Sequence, residues 1–199
     1  MVSAPHDEHL DFFSIVVPGG EFTSELSRLG EGDQLLVDRQ AFGYLTLDRF
    51  AGGRDLWLLA TGTGIAPFIS ILQGFEAWER FESIKLVYSV REARELAYLD
   101  LIAGLEQRDY LAEHAGKLQF IPVVTREPHP GALDERITTL IENGRLEEAA
   151  GLALTPEHSR IMLCGNPDMI DETRKVLKAK DLQLSLSRRP GQVAVENYW

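Results

Sequence analysis

The chain has 199 residues, 44% of them hydrophobic, and a formal net charge of −11 at pH 7. This composition supports a packed core, and the length allows one large domain or two smaller ones. The acidic balance argues against nucleic acid as a partner, because binding phosphates requires a basic surface. No segment has the apolar length of a membrane span, the first residues do not resemble a signal peptide, and a single cysteine, Cys164, excludes an internal disulfide. We therefore expect a soluble, cytoplasmic protein that does not contact a membrane.

Residues 1–52 are predicted to be rich in β-structure. The apolar pattern predicts strands at 11–17, 35–37 and 44–47, a turn at 18–20 and a short helix at 22–29. These strands are too few to close a sheet or a barrel, and a complete domain normally covers its exposed strand edges. Residues 1–52 are therefore interpreted as part of a β-domain that ends at Gly52-Gly53.

Residues 53–199 alternate between short apolar blocks and helical periods, which is typical of βαβ units. Strands are predicted at 56–60, 84–89, 118–125, 160–163 and 183–187, and helices at 66–81, 96–111, 134–143 and 167–180. Right-handed crossovers between these strands imply an α/β fold with a five-stranded parallel sheet and helices on both faces. Ligands of such sheets bind at the carboxyl ends of the strands.

A glycine turn follows the first predicted strand, in Thr61-Gly62-Thr63-Gly64, and Pro67 then suits the first turn of a helix. Glycines let the backbone turn tightly and approach a ligand closely, and the start of a helix attracts an anion. The turn is thus a candidate phosphate cradle. An ordinary strand-to-helix turn uses glycine in the same way, so the motif alone leaves both interpretations open.

A second glycine turn, Cys164-Gly165-Asn166-Pro167, follows the fourth predicted strand at the same edge of the sheet. With it the chain resembles the ferredoxin:NADP(H) reductase family, specifically the bacterial flavodoxin/ferredoxin reductases. The matching pieces are ATGTGIAP at 60–67, CGNP at 164–167 and RRPGQVAVENYW at 188–199.

The resemblance implies that Thr61, Gly62, Thr63 and Gly64 lie beneath the nicotinamide and pyrophosphate of the coenzyme. It also implies that Cys164, followed by Gly165 and Asn166, positions the nicotinamide for hydride transfer. Taken without the family, a cysteine that ends a buried strand is a core residue, and the Thr61 hydroxyl is a cap for the turn.

Three arginines just past the predicted strand ends, Arg91, Arg126 and Arg136, can bind a phosphate monoester, because a guanidinium donates two parallel hydrogen bonds. The resemblance assigns them to the 2′-phosphate and so favours NADP(H) over NAD(H). The alternative is that they are solvated loop residues paired with nearby carboxylates, namely those of Glu92, Glu95 or Glu127.

The resemblance also implies bound FAD. Tyr198 would stack on the isoalloxazine ring, Trp199 on the adenine, and the alternative is an aromatic tail docked into the core. The flavin pyrophosphate would bind at residues before and within the first short helix, namely Gly20, Phe22, Thr23 and Ser24. A plain helix cap by Thr23 or Ser24 is the alternative there.

The implied activity is electron transfer between NADP(H) and ferredoxin or flavodoxin, by hydride transfer between nicotinamide C4 and flavin N5 followed by two single-electron steps. Thr61, Cys164 and Tyr198 are the implied catalytic residues, with Tyr198 moving aside for the nicotinamide. The match begins just after the point where the family carries an Arg-x-Tyr-Ser motif, so we expect an N-terminally truncated, monomeric member without a metal site. Two alternatives stay open: an NADP(H)-binding module without flavin or activity, and a related reductase domain serving a partner chain or an oxygenase.

Overall fold

The computed structural model describes residues 1–38, 40, 43–186 and 188–197, with Asn197 described by its backbone alone. Its centre is a sheet of five parallel strands, which confirms the predicted α/β architecture. The strands are β1 (Asp55–Thr61), β2 (Ser83–Val90), β3 (Leu118–Val124), β4 (Ser159–Gly165) and β5 (Val193–Asn197). They lie in the order β3-β2-β1-β4-β5, so β1 and β4 are neighbours and their carboxyl ends meet.

Helices cover both faces of the sheet. Core residues from α2 (Ala66–Gln73), α3 (Glu76–Arg80) and α4 (Leu99–Gly104) pack against one face. Core residues from α5 (Ile137–Glu142), α6 (Arg145–Ala150) and α7 (Pro167–Ala179) pack against the other. In the part of the chain that the structure describes, no helix is both long and apolar enough to cross a membrane.

The central strand β1 shows why a continuous apolar block forms here. Leu56, Leu58 and Ala60 face one core, whereas Trp57 and Leu59 face the other, and all five are completely buried. A strand with helices on both sides needs apolar residues at every position, because successive side chains point to opposite faces.

The fifth strand is not where the sequence predicts it. Residues 183–187 were predicted as a strand, but Leu184 forms only an isolated bridge to Val193, and β5 is formed by Val193–Asn197. The Gln183 carbonyl accepts hydrogen bonds from Gln192 N and Val193 N, at 2.8 and 3.0 Å. This segment therefore covers part of the outer edge of β5 instead of extending the sheet.

The predicted helices are confirmed in place but differ in extent. The helix predicted at 66–81 is interrupted at Gly74, which adopts an extended conformation that ends α2 before α3 begins. The helix predicted at 96–111 consists of α4 and two 3-10 helices, Leu105–Gln107 and Asp109–His114. The one predicted at 134–143 starts at Ile137, and α6 was not predicted at all.

The region before β1 differs most from the prediction. The described residues of this region contain α1 (Glu21–Leu26) and a 3-10 helix (Leu47–Arg49), and none of them forms a strand. The strands predicted at 11–17, 35–37 and 44–47 are thus absent, because a strand forms only against a neighbouring strand that completes its hydrogen bonds. Several apolar side chains here are exposed, namely Leu10, Phe12, Ile15, Val16, Leu35, Leu36, Val37 and Tyr44.

Two parts of this region nevertheless pack on the sheet domain. The first residues lie on α2, where Ser70 Oγ donates to the Ser3 carbonyl at 2.7 Å and Gln73 Nε2 donates to the Val2 carbonyl at 2.8 Å. Leu47 and Phe50 are buried in the core that β1 and α2 share. The chain therefore enters β1 from a segment that is itself anchored.

Candidate functional site

Two glycine corners meet at the carboxyl edge of the sheet. The first corner is residues 61–64, which end β1 and lead toward α2, and the second corner is residues 164–166, which end β4 and lead into α7. Ala60 is paired with Cys164 in the sheet, and the Asn166 N–H donates to Thr61 Oγ1 at 2.8 Å. The expected convergence of the two turns is confirmed.

The close packing of the corners requires glycine at two positions. A Cβ at Gly64 would lie 2.2 Å from the Cys164 carbonyl oxygen. A Cβ at Gly165 would lie 2.2 Å from Thr61 Oγ1, and Gly165 has a φ of +132°, which few other residues adopt. Any side chain at either position would push the corners apart.

The outer side of the first corner is open. Thr63 and Gly64 are buried, whereas Gly62 is exposed with a φ of +52°, and a Cβ there would meet no atom of a described, non-adjacent residue within 4 Å. The backbone at Gly62 can therefore be approached closely from outside the protein. This is the geometry that a phosphate cradle requires.

The start of α7 is capped by the second corner. The Asn166 side chain accepts hydrogen bonds from Asp168 N at 2.9 Å and Met169 N at 3.2 Å, and Pro167 follows in the first turn. Asparagine is among the best residues at this position, and proline is favoured directly after it. This role of Asn166 was not predicted, although the Asn-Pro pair before an amphipathic segment carries the signal.

Cys164 has the position of a site residue and the burial of a core residue. It lies directly before the Gly165 corner, and its side chain is completely buried in the core that contains Leu58 and Ala60. The core interpretation therefore agrees with the burial, and the family interpretation agrees with the position.

The loops after β2 and β3 bring two of the predicted arginines together. We name residues 91–95 the Arg91 loop and residues 125–127 the Arg126 loop. The Arg126 N–H donates to the Arg91 carbonyl at 2.9 Å, and both side chains are exposed. Arg136 directly precedes α5 and is also exposed, three residues after Leu133, which bridges to Val123 near the end of β3.

None of these arginines pairs with a carboxylate of the residues that the structure describes. Among the described residues, no Asp or Glu oxygen lies within 4.0 Å of the guanidinium groups of Arg91, Arg126 or Arg136. Glu92 pairs instead with Arg94 at 2.7 Å, and the carboxylates of Glu95 and Glu127 accept backbone N–H groups. The alternative in which the arginines pair with these glutamates is therefore wrong, and three guanidinium groups are available to an anion.

A buried tyrosine in β2 forms a hydrogen bond with the Arg91 loop. The Tyr88 hydroxyl donates to the Glu95 carbonyl at 3.2 Å, and burial raises the pKa of Tyr88 to about 12. The hydroxyl therefore stays protonated and keeps its donor role at neutral pH.

The comparison with known proteins decides the family. Residues 58–175 match the family model described as "Oxidoreductase NAD-binding domain". The chain is 42% identical to the ferredoxin–NADP reductase of Pseudomonas aeruginosa over 98% of this chain and 77% of that protein. It is 41% identical to the flavodoxin/ferredoxin–NADP reductase of Escherichia coli, over 100% of this chain and 78% of that protein. The chain belongs to the ferredoxin/flavodoxin–NADP reductase family.

A solved structure of this family has the same fold. The ferredoxin NADP+ reductase from Neisseria gonorrhoeae, determined with bound FAD and NADP, superposes with a TM-score of 0.91 at 37% identity. The match covers 100% of this chain and 78% of that one.

The residues predicted to bind the flavin lie directly before and within α1. Gly20 precedes α1 without a side-chain cap, and Phe22 is 68% exposed. Thr23 Oγ1 accepts from Val17 N at 3.0 Å, a bond outside the helix, so the predicted alternative of a helix cap by Thr23 or Ser24 is wrong.

The predicted stacking residues Tyr198 and Trp199 lie outside the described residues. Just before them, the Glu196 carboxylate accepts the Tyr44 N–H at 3.2 Å. This bond connects the end of β5 with the segment that precedes β1.

A separate groove of about 490 Å³ is lined by none of the predicted site residues that the structure describes. It lies between α7 and the segment before β5 and combines exposed basic groups with an apolar floor. Its lining includes Arg174, Lys175, Lys178, Leu184 and Arg189.

Proposed function

We propose that this chain acts as a flavin-dependent ferredoxin/flavodoxin–NADP(H) reductase, which transfers electrons between NADP(H) and ferredoxin or flavodoxin. The observation that carries the proposal is the shared edge of the sheet. Two joined glycine corners lie there beside arginine loops whose guanidinium groups have no acidic partner within the described chain. Family membership supports the proposed reaction, and the geometry of this edge of the sheet supports NADP(H) as the coenzyme.

The residues present fit NADP(H). The open backbone at Gly62 and the start of α7 would hold the pyrophosphate, with Thr61, Thr63, Gly64, Gly165 and Asn166 forming the surrounding corners. Arg91, Arg126 and Arg136 would bind the 2′-phosphate through charge-assisted hydrogen bonds. The absence of carboxylate partners supports this role, because a guanidinium already paired would have to exchange its partner first.

The protein would orient the nicotinamide above the joined corners. Thr61 and Cys164 would define its position from the ends of β1 and β4, and Tyr198 would shield the reacting face until the coenzyme enters. When bound, FAD supplies the chemistry, accepting a hydride from the nicotinamide and releasing electrons singly to the protein partner.

Residues 1–52 are proposed to be the C-terminal part of an antiparallel FAD-binding barrel, and residues 53–199 the NADP(H)-binding domain. The exposed apolar side chains before β1 support this division, since an incomplete sheet leaves its core side uncovered. Gly20, Phe22, Thr23 and Ser24 would hold the flavin pyrophosphate, and Trp199 its adenine. We also propose, from the composition of the chain, that the protein is a monomer in the cytoplasm.

A second candidate function is an NADP(H)-binding module without flavin. The comparisons do not favour it, because the relatives are named as reductases and one of them was determined with bound FAD and NADP. Titration with FAD, followed by gel filtration and absorbance at about 450 nm, separates the two candidates. Co-eluting yellow protein supports the reductase, and colourless protein that binds NADPH supports the module.

The coenzyme assignment is tested by Arg126→Ala. The variant should lose about ten- to hundredfold in affinity for NADPH, because charge-assisted hydrogen bonds to the phosphate are removed, and little in affinity for NADH. Arg174→Ala, which removes an exposed arginine outside the site, is the matched control and should change neither affinity. Equal losses for both coenzymes in Arg126→Ala would remove the phosphate assignment.

A further inference from the structure

The Arg91 loop and the Arg126 loop are joined by the carboxylate of Glu127, which the sequence offered only as an alternative ion-pair partner of the arginines. Glu127 Oε1 accepts the Ala93 N–H at 2.6 Å, across 34 positions of sequence. This bond lies beside the backbone bond between the two arginines, in which Arg126 N donates to the Arg91 carbonyl at 2.9 Å. The two loops are therefore connected at two points, at the Arg91 carbonyl and two residues later at the Ala93 N–H.

A second carboxylate fixes the Arg91 loop internally. Glu95 Oε2 accepts from Arg91 N at 2.8 Å and from Glu92 N at 3.1 Å. The Glu92 side chain accepts in turn from the Glu95 N–H, which completes a capping box around the 3-10 helix Ala93–Glu95. The Arg91 loop is thus a compact unit, and Glu127 is the side chain that attaches it to its neighbour.

We propose that Glu127 is a positioning residue for recognition of the 2′-phosphate. It holds the Arg91 loop against the Arg126 loop, so that the two guanidinium groups are presented together before the coenzyme arrives. The inference rests on the proposed function, since it assigns Glu127 to the same phosphate site. Fixing the backbones of both loops in advance reduces the conformational entropy that binding would otherwise lose.

A carboxylate is an unfavourable neighbour for a phosphate, and this makes the inference testable. Its charge opposes the anion, although exposure to solvent and salt weakens that repulsion. Its hydrogen bond to the Ala93 N–H favours binding through loop geometry. Glutamine at position 127 retains an acceptor oxygen without the charge, whereas alanine removes both. Comparing the two variants therefore separates the effect of the hydrogen bond on affinity from the effect of the charge.

The experiment compares wild type with Glu127→Gln and Glu127→Ala by calorimetric titration with adenosine 2′,5′-bisphosphate and with 5′-AMP, which lacks the 2′-phosphate. Glu127→Ala should bind the bisphosphate about three- to tenfold more weakly than Glu127→Gln, the loss of one hydrogen bond. Glu127→Gln should bind it at least as tightly as wild type. Affinity for 5′-AMP should be the same in all three, and Glu113→Ala, an exposed carboxylate elsewhere, should match wild type throughout.

Amide hydrogen exchange gives a readout that is independent of any ligand. The Ala93 amide should exchange faster in Glu127→Ala than in Glu127→Gln, because its acceptor is lost. Equal bisphosphate affinities of the two variants, or equal losses for both nucleotides, would overturn the inference while leaving the phosphate site intact. Failure of the wild type to prefer the bisphosphate would instead refute the proposed function, and this inference with it.

Discussion

The Thr61 hydroxyl accepts the Asn166 N–H at 2.8 Å and thereby joins the ends of the two central strands, across 105 positions of sequence. One side chain thus fixes the distance between the turn that starts α2 and the turn that starts α7. Because both turns would contact one coenzyme, their relative placement determines the shape of the site. Thr61 therefore has a structural role that can be measured without coenzyme.

Replacing Thr61 by valine tests that role. Thr61→Val keeps the size of the side chain but removes the acceptor of the Asn166 N–H, which should lower the free energy of unfolding by about 1 kcal/mol. Thr61→Ser keeps the hydroxyl and should lose less. Urea unfolding compares the three proteins, and equal stability of wild type and Thr61→Val would show that the bond contributes nothing.

The contact between the corners predicts a large effect at Gly64. In Gly64→Ala the new methyl group would lie 2.2 Å from the Cys164 carbonyl oxygen, a backbone atom that cannot rotate away. The variant should lose about 3 kcal/mol or more of stability, measured by urea or thermal unfolding. The matched control is Gly104→Ala at the end of α4, where a Cβ would meet no atom within 4 Å and stability should hold or rise. Similar behaviour of both variants would contradict the close approach of the corners.

Two substitutions of Asn166 separate stability from coenzyme binding. Asn166→Ala removes the cap of α7 and should cost about 1 kcal/mol of stability. Asn166→Asp keeps an acceptor for the cap and should be as stable as wild type, but its negative charge should weaken NADP+ binding. Unfolding measures the first effect and calorimetry the second; unchanged NADP+ affinity in Asn166→Asp would place the pyrophosphate elsewhere.

Burial of Tyr88 predicts a loss of stability at alkaline pH. Burial raises the pKa of Tyr88 from 10.0 to about 12, so the unfolded chain releases this proton at a lower pH than the folded protein. The stabilising contribution is complete below pH 10 and should be lost as the pH rises to 12, by about 2 kcal/mol. The measurement is the difference in unfolding free energy between wild type and Tyr88→Phe from pH 9 to 12. A difference in unfolding free energy that stays constant from pH 9 to 12 would contradict the raised pKa of Tyr88.

The sequence predicts the sheet best where a local pattern and the final packing agree. β1 is apolar from Leu56 to Ala60 because helices cover both of its faces, and its prediction is confirmed almost to the residue. A fifth strand was predicted at 183–187, but an apolar pattern reports that side chains are buried and not which segment pairs with β4. Val193–Asn197 is the segment that pairs with β4, and no local pattern in the sequence reveals this pairing.

The same distinction applies to the site. Glycine spacing predicted both corners, because close approach of two backbones requires glycine and is therefore visible in the residue type. The bond between Glu127 and the Ala93 N–H cannot be recognised from residue types, since any residue can donate a backbone amide from a loop that is distant in sequence. The capping box of Glu92 and Glu95 could have been recognised from their spacing, but that spacing does not exclude an ion pair, since Glu92 also pairs with Arg94.

The central claim is that the joined corners and the arginine loops bind one NADP(H) molecule at a single edge of the sheet. Titration of the assigned, isotope-labelled protein with NADP+, followed by amide chemical shifts, tests it most directly. The largest shifts should fall on Gly62, Thr63 and Gly165, with further shifts at Arg91 and Arg126 that are absent when NAD+ is used. Shifts confined to the groove beside Arg174 and Arg189, with Gly62 and Gly165 unchanged, would contradict the account.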